Sequence, residues 1–303
     1  MKNQEIIAIR EFLASMPEPA DTVELRQTYD SLGSVFPTAA DVTLESVSAN
    51  GVPAEWASAP GAAHDRVVMY VHGGGYVIGS VKSHRHLVTE LGRAAGTRTL
   101  SVDYRLAPEH PFPAAVDDAL AVYRYLLAQG FTPGNIAIAG DSAGGGLTVA
   151  TLLAIREAGL DQPACGFCIS PWIDLEATGN SMTELAAVDP MVSREELDGM
   201  AAAYLAGASA KTPLAAPLHA EFRGLAPLLI HVGAAETLLD DSIRLAGKAG
   251  AADVDVTLQV WPEMIHVWHF FHPMLEAGRS AIAQGGEFIG RAMDESGKLK
   301  AVA

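Results

Sequence analysis

"NIAIAGDSAGGGLTVATLL", residues 135 to 153, passes from an apolar run of strand type to an apolar run of helix type through a turn of small residues. Ser142 stands in that turn, within Gly140-Asp141-Ser142-Ala143-Gly144. The pattern fits G-x-S-x-G, in which a tight strand-to-helix turn leaves the serine oxygen exposed. It also fits an ordinary small-residue turn that packs a helix against a sheet. Short glycine-rich matches arise by chance, so the rest of the chain has to decide between the two.

Outward from this stretch the pattern alternates. Strand-length apolar runs recur at 66–71, 97–102, 135–140, 165–170, 227–233 and 254–261. Most are separated by segments with helical spacing, such as "SHRHLVTELGRAAG", "PAAVDDALAVYRYLLAQG" and "LLDDSIRLAGKAGA". Strands apolar on both faces, alternating with helices, predict an α/β fold with a mostly parallel sheet covered by helices on both sides. An "ANG" turn at 49–51 joins "VTLESVS" to "VPAEWAS" and predicts an antiparallel hairpin at the sheet edge. Two stretches interrupt the alternation. Residues 1–40 read as two helices before any strand, and residues 174–225 hold the helical "REELDGMAAAYLAG" between two strands. Together they are expected to form a lid over the strand ends, where open α/β sheets place ligands.

Bulk properties remove several function classes. Lys and Arg number 20 against 36 Asp and Glu, a net charge of −16, and no basic run offers a phosphate-tracking surface, so nucleic acid is not an expected partner. The N-terminal "MKNQEIIAIREFLASMPEP" carries charges through its only apolar stretch and reads as an amphipathic helix. Cytoplasm is therefore the default location, with no stable membrane association. Cys165 and Cys168 form a C-x-x-C in a strand-type run, where residues three apart point to opposite faces. That geometry favours two buried cysteines over a redox pair.

An acyl-transfer site needs a nucleophile, a base, an acid to orient that base, and N–H donors for the oxyanion. "YVHGGGYVIGS", residues 70–80, follows a strand directly, and its successive glycines let backbone N–H groups approach a ligand. A phosphate loop is the competing reading, but neither glycine stretch spells a dinucleotide or P-loop motif. Among ten histidines, His64, His84, His86 and His110 fall in apparent loops or helix starts, with solvated or structural roles expected. His231 reads as a core residue of its strand, and His219 lies in the insertion. "WPEMIHVWHFFH", after the last strand, supplies His266, His269 and His272, of which His266 is nearest the strand end. On a helix their spacing of three fans them over an arc, unlike the i, i+4 pair of a zinc site, so no metal is expected. Between Ser142 and His266, "PLLIHVGAAETLLDDS" supplies Glu236 just after a strand, with Asp240 and Asp241 further on. All three also suit a helix start, where the dipole favours carboxylates. Serine, acid and histidine thus occur in the order 142, 236, 266, each just after a strand.

"HGGGYVIGS", "VDYRLAPEHPFPAAVDDALAVYRYL", "IAGDSAGGGL", "SPWIDL" and "LLIHVGAAETLLDDS" together resemble the bacterial hormone-sensitive-lipase-like esterases of the α/β-hydrolase superfamily, from about residue 40 onward. The resemblance implies an α/β-hydrolase fold, an eight-stranded sheet with a helical cap. Residues 1–40 and 174–225 would form the cap, and 41–173 with 226–303 the catalytic domain. It implies Ser142 as nucleophile, His266 as base and Glu236 as acid. Backbone N–H groups of Gly73, Gly74, Gly75 and Ala143 would form the oxyanion hole, the nearest match being Gly74, Gly75 and Ala143. The family's acid is mostly an aspartate followed by Pro-Leu, where this chain has Glu-Thr-Leu, and its histidine is mostly followed by Gly-Phe, where this chain has Val-Trp. The latter resembles a subset that includes lactone hydrolases. The implied activity is hydrolysis of short to medium acyl esters or of lactones, without a cofactor, with Tyr204 and Leu205 expected in the substrate pocket. A homodimer is allowed. Plant gibberellin receptors resemble the same family and bind without hydrolysing, having lost the histidine that His266 supplies here.

Overall fold

The computed structural model describes residues 3–16, 19 and 21–302; residues 1, 2, 17, 18 and 20 of the expected cap segment, and residue 303, lie outside them. Eight strands form one sheet: β1 (Thr43–Ala49), β2 (Val52–Ser58), β3 (Ala63–Val71), β4 (Thr97–Val102), β5 (Ile136–Asp141), β6 (Cys165–Ile169), β7 (Leu228–Gly233) and β8 (Val256–Trp261). Their spatial order is β1-β2-β4-β3-β5-β6-β7-β8. β1 and β2 form the hairpin that the "ANG" turn predicts, with Ala49 paired to Val52. β2 runs antiparallel to β4, and every pair from β4 to β8 is parallel.

Nine α-helices are described: α1 (Gln4–Ala14), α2 (Thr22–Val35), α3 (Val81–Ala95), α4 (Ala114–Ala128), α5 (Ala143–Glu157), α6 (Ser181–Glu184), α7 (Arg194–Leu205), α8 (Leu239–Ala251) and α9 (Glu276–Val302). The two-residue period of a strand sorts β3 between two cores. Val67, Met69 and Val71 join the layer that holds Leu147 of α5 and Leu245 of α8, whereas Val68 and Tyr70 join the layer that holds Leu87 of α3 and Ile289 of α9. Burial on both faces explains why the central strands read as near-continuous apolar runs. Cys165 and Cys168 are both buried and free.

The two interrupting segments meet over the C-terminal ends of the parallel strands. Arg10 of α1 donates to Val188 O of the 174–225 segment at 2.6 Å. Arg26 of α2 spans several elements, donating to Val77 O and Ala107 O at 2.8 Å each and gripping Glu109 with both terminal nitrogens. Between α2 and α7 lies a cavity of about 450 Å³.

Candidate active site

Ser142 sits between β5 and α5 with φ 55° and ψ −122°, a backbone conformation strained by about 1–3 kcal/mol for an L residue. Its surroundings over-determine it. The Ser142 N–H donates to Ile169 O at 2.8 Å, and its carbonyl accepts from Trp172 N at 2.9 Å and Gly146 N at 3.1 Å. Gly140 and Gly144 are required by close approach, because a Cβ at either would run into the Val71 carbonyl oxygen at the end of β3. α5 therefore starts directly beside the sheet, and Ser142 lines the cavity.

His266 lines the same cavity from the loop after β8. Its Nδ1 lies 2.8 Å from Glu236 Oε2, and Glu236 Oε1 accepts the Gly233 N–H at 2.9 Å. A carboxylate only accepts, so Nδ1 carries the proton and the neutral ring keeps its lone pair on Nε2. The loop itself is held where Val267, at φ 48°, donates its N–H to Ser170 Oγ at 3.1 Å. Burial disfavours the imidazolium, but the Glu236 hydrogen bond and charge, with Asp189 and Asp141, outweigh it and hold the His266 pKa above its ordinary value. Burial pushes the Glu236 carboxyl above its ordinary range, opposed by the His266 and Gly233 hydrogen bonds. Ser142 Oγ and the His266 ring share the cavity without a direct hydrogen bond among the described residues. Such contacts commonly tighten only once substrate is seated.

The glycine loop after β3 presents Gly74 at φ 114° and Gly75 at φ 60° to the cavity. Gly73 departs from the expected set. Its N–H donates to Asp141 Oδ1 at 3.0 Å and is spent inside the protein, while Gly74, Gly75 and Ala143 have no acceptor for theirs among the described residues. Asp141 is fully buried and also accepts from Tyr70 OH at 2.7 Å and lies 3.2 Å from His84 Nε2. Burial alone would raise its pKa, but His84, Tyr70 and His72 hold the carboxyl below its ordinary range.

Several residues sit elsewhere than the sequence implied. Tyr204 is buried, stacked on Tyr76 at 3.8 Å between centroids, and Leu205 packs at the edge of the same core, so neither lines the cavity. Their neighbours Met200 and Ala203 do. His84 and His86 are buried within α3, the former on Asp141 and the latter 2.8 Å from Phe270 O. The three C-terminal histidines part company, since His269 pairs with His231 at 3.0 Å and His272 stacks on His86. Asp240 accepts from Ser181 N, and Asp241 from Ile173 N and Asp174 N. Asp240 thus ties α8 to α6, and Asp241 ties it to the loop after β6, rather than to His266. Among the described residues Asp174, Glu176 and His219 bring ligand atoms close enough for a metal ion, but Thr178 and the Arg244 guanidinium already occupy the Asp174 carboxylate.

A family model described as the alpha/beta hydrolase fold matches residues 68–270. The chain is 46% identical to an acetyl-hydrolase of Streptomyces hygroscopicus over 89% of its own length and 90% of the relative's. It is 34% identical to an esterase of Acinetobacter venetianus, covering 87% of each chain. Among solved structures it resembles an esterase of the bacterial hormone-sensitive lipase family with a TM-score of 0.94 and 49% identity, over 97% of this chain and 99% of that one.

Proposed function

The chain belongs to the alpha/beta-hydrolase fold family, in the branch of the bacterial hormone-sensitive-lipase esterases, and on that premise we propose a carboxylesterase that works through Ser142, His266 and Glu236. The observation that carries the reading is the strained Ser142 sharing one cavity with His266, whose far nitrogen Glu236 holds at 2.8 Å. Ser142 Oγ attacks the ester carbonyl while His266 Nε2 takes its proton. The tetrahedral oxyanion accepts hydrogen bonds from the Gly74, Gly75 and Ala143 N–H groups, which have no other acceptor among the described residues. Collapse expels the alcohol, protonated by His266. Water then repeats the sequence on the acyl-enzyme and releases the acid. Glu236 keeps the proton on Nδ1 and stabilises the imidazolium between the two transfers.

Residues 1–40 and 174–225 act as the cap in this reading. The cavity is at the small end of the ~300–1,000 Å³ usual for ligand sites, which favours esters of short to medium acyl chains. Its apolar wall, Leu25, Tyr29, Met191, Leu197 and Met200, supports a neutral acyl group. Lactones suit the same chemistry. No helix among the described residues is long and apolar enough to cross a membrane. The test is hydrolysis of p-nitrophenyl butyrate, with mass spectrometry after phenylmethylsulfonyl fluoride. Turnover by the intact chain with a sulfonyl adduct on Ser142 is the expected result, and no turnover or an adduct elsewhere overturns it.

A further inference from the structure

Asp189 belongs to the segment before α7, and its carboxylate accepts four hydrogen bonds. Oδ1 takes the N–H groups of Met191 at 2.9 Å and Val192 at 3.1 Å. Oδ2 takes the N–H of Thr237 at 2.7 Å and its Oγ1 at 3.0 Å. Met191 and Val192 are walls of the cavity, and Thr237, itself buried, directly follows Glu236. We propose that Asp189 and Thr237 are positioning residues that couple the cavity wall to the triad acid, so that the acyl pocket and the Glu236–His266 pair keep register as one unit. The inference rests on the triad reading of Ser142, Glu236 and His266.

The reasons are physical. The Thr237 N–H lies in the peptide plane it shares with Glu236, so its bond to Asp189 fixes the backbone torsion from which the Glu236 side chain departs. A glutamate has one more rotatable bond than an aspartate and loses more freedom when it is held on a histidine. A charge-assisted clamp on its backbone lowers what remains to be ordered. Threonine supplies both donors. Valine would supply one and proline neither. The Asp189 carboxylate also adds negative charge near His266, beside Glu236 and Asp141.

Steady-state kinetics with p-nitrophenyl acetate and hexanoate, run against pH, test this in Asp189→Asn, Thr237→Val and Thr237→Ser. Asp189→Asn keeps the shape but loses the charge and weakens the grip. It should lower kcat by about tenfold and move the acid limb down by about half a pH unit. KM for hexanoate should rise more than KM for acetate, because Met191 and Val192 loosen. Thr237→Val should show a smaller loss of the same kind, and Thr237→Ser should recover most of it. Melting temperatures of all three check folding, and Thr237→Val carries the test if Asp189→Asn does not fold. Wild-type kcat, acid limb and hexanoate-to-acetate KM ratio in both Asp189→Asn and Thr237→Val would overturn the coupling. If Ser142→Ala is inactive at the same time, only this inference falls, whereas an active Ser142→Ala removes the triad reading beneath it.

Discussion

Asp141 Oδ1 accepts the Gly73 N–H at 3.0 Å, so one carboxylate joins the turn that carries Ser142 to the glycine loop that faces it. The proposed nucleophile and the proposed N–H donors therefore belong to a single piece, with Tyr70 and His84 completing the coordination of the carboxylate from β3 and α3.

Tyr70→Phe is the mildest cut into that piece. It removes one donor from a buried carboxylate and should cost about 1–3 kcal/mol of stability. A loosened glycine loop should also lower kcat several-fold with little change in KM, because oxyanion donors act on the transition state. Asp141→Ala frees the Gly73 N–H as well and untethers the loop that carries Gly74 and Gly75, so the loss in kcat should approach a factor of about 10²–10³, which follows when one oxyanion donor is removed. Urea titration and initial rates on the same samples check both effects.

Strain at Ser142 predicts a split between activity and stability. Ser142→Ala and Ser142→Gly should both lose about 10⁶ in kcat, as triad serines do. Only glycine accepts φ 55°, ψ −122° without a steric penalty, so Ser142→Gly should melt higher than Ser142→Ala. Equal melting temperatures would mean that the strain is no larger than the cost of about 0.4–1 kcal/mol that glycine carries through the unfolded chain.

How much of this was legible in the sequence follows from what periodicity can record. The parallel strands are buried on both faces, so their apolar runs stand out, and the "ANG" turn marks the hairpin. Each residue of the proposed triad follows a strand at a motif short enough to read. The lining of the cavity was not legible, and α7 shows why. Gly199, Met200 and Ala203 face the cavity while Ala201 and Tyr204 are buried in the adjacent stripe, and Leu197 is buried yet still reaches the cavity wall. Both stripes are largely apolar and only about 100° apart, so hydrophobic spacing alone assigns Tyr204 and Leu205 as readily as Met200. Asp141 and His84 are another case. They are 57 residues apart, and no local pattern marks a buried carboxylate as the partner of a helix histidine.

Met200 should set the acyl length limit. Its side chain packs against Gly75 beside the oxyanion donors, so it closes the pocket near the reacting carbon. With the wild-type chain, kcat/KM should climb as methylenes are added, each worth about 0.8 kcal/mol when buried, and then collapse when space ends. Met200→Ala should move the peak to longer chains. A series of p-nitrophenyl esters from acetate to dodecanoate reads the peak in each variant, and an unmoved peak would place the limit elsewhere.

In the proposed mechanism Glu236 sets the pH at which the site turns on. The base must be neutral to accept the Ser142 proton, so kcat/KM should rise with pH through the pKa of His266. Burial alone would lower that pKa, but Glu236 reverses the sign, so the acid limb should lie above the ordinary histidine value of about 6.5. Glu236→Gln removes the reversing charge and leaves the burial, so its limb should move below the wild-type midpoint. The same change should cost about 10⁴ in kcat, because the amide no longer fixes the proton on Nδ1. Glu236→Asp should recover part of the rate, since the shorter side chain falls short of the ring that Oε2 now meets at 2.8 Å. Asp240→Asn is the matched control. Its carboxylate accepts the Ser181 N–H and not the imidazole, so it should cost about 1 kcal/mol of stability and remain far more active than Glu236→Gln. Rate profiles from pH 5 to 9 for the three variants decide the assignment, and a Glu236→Gln limb at or above the wild-type midpoint would mean that another group holds the His266 charge.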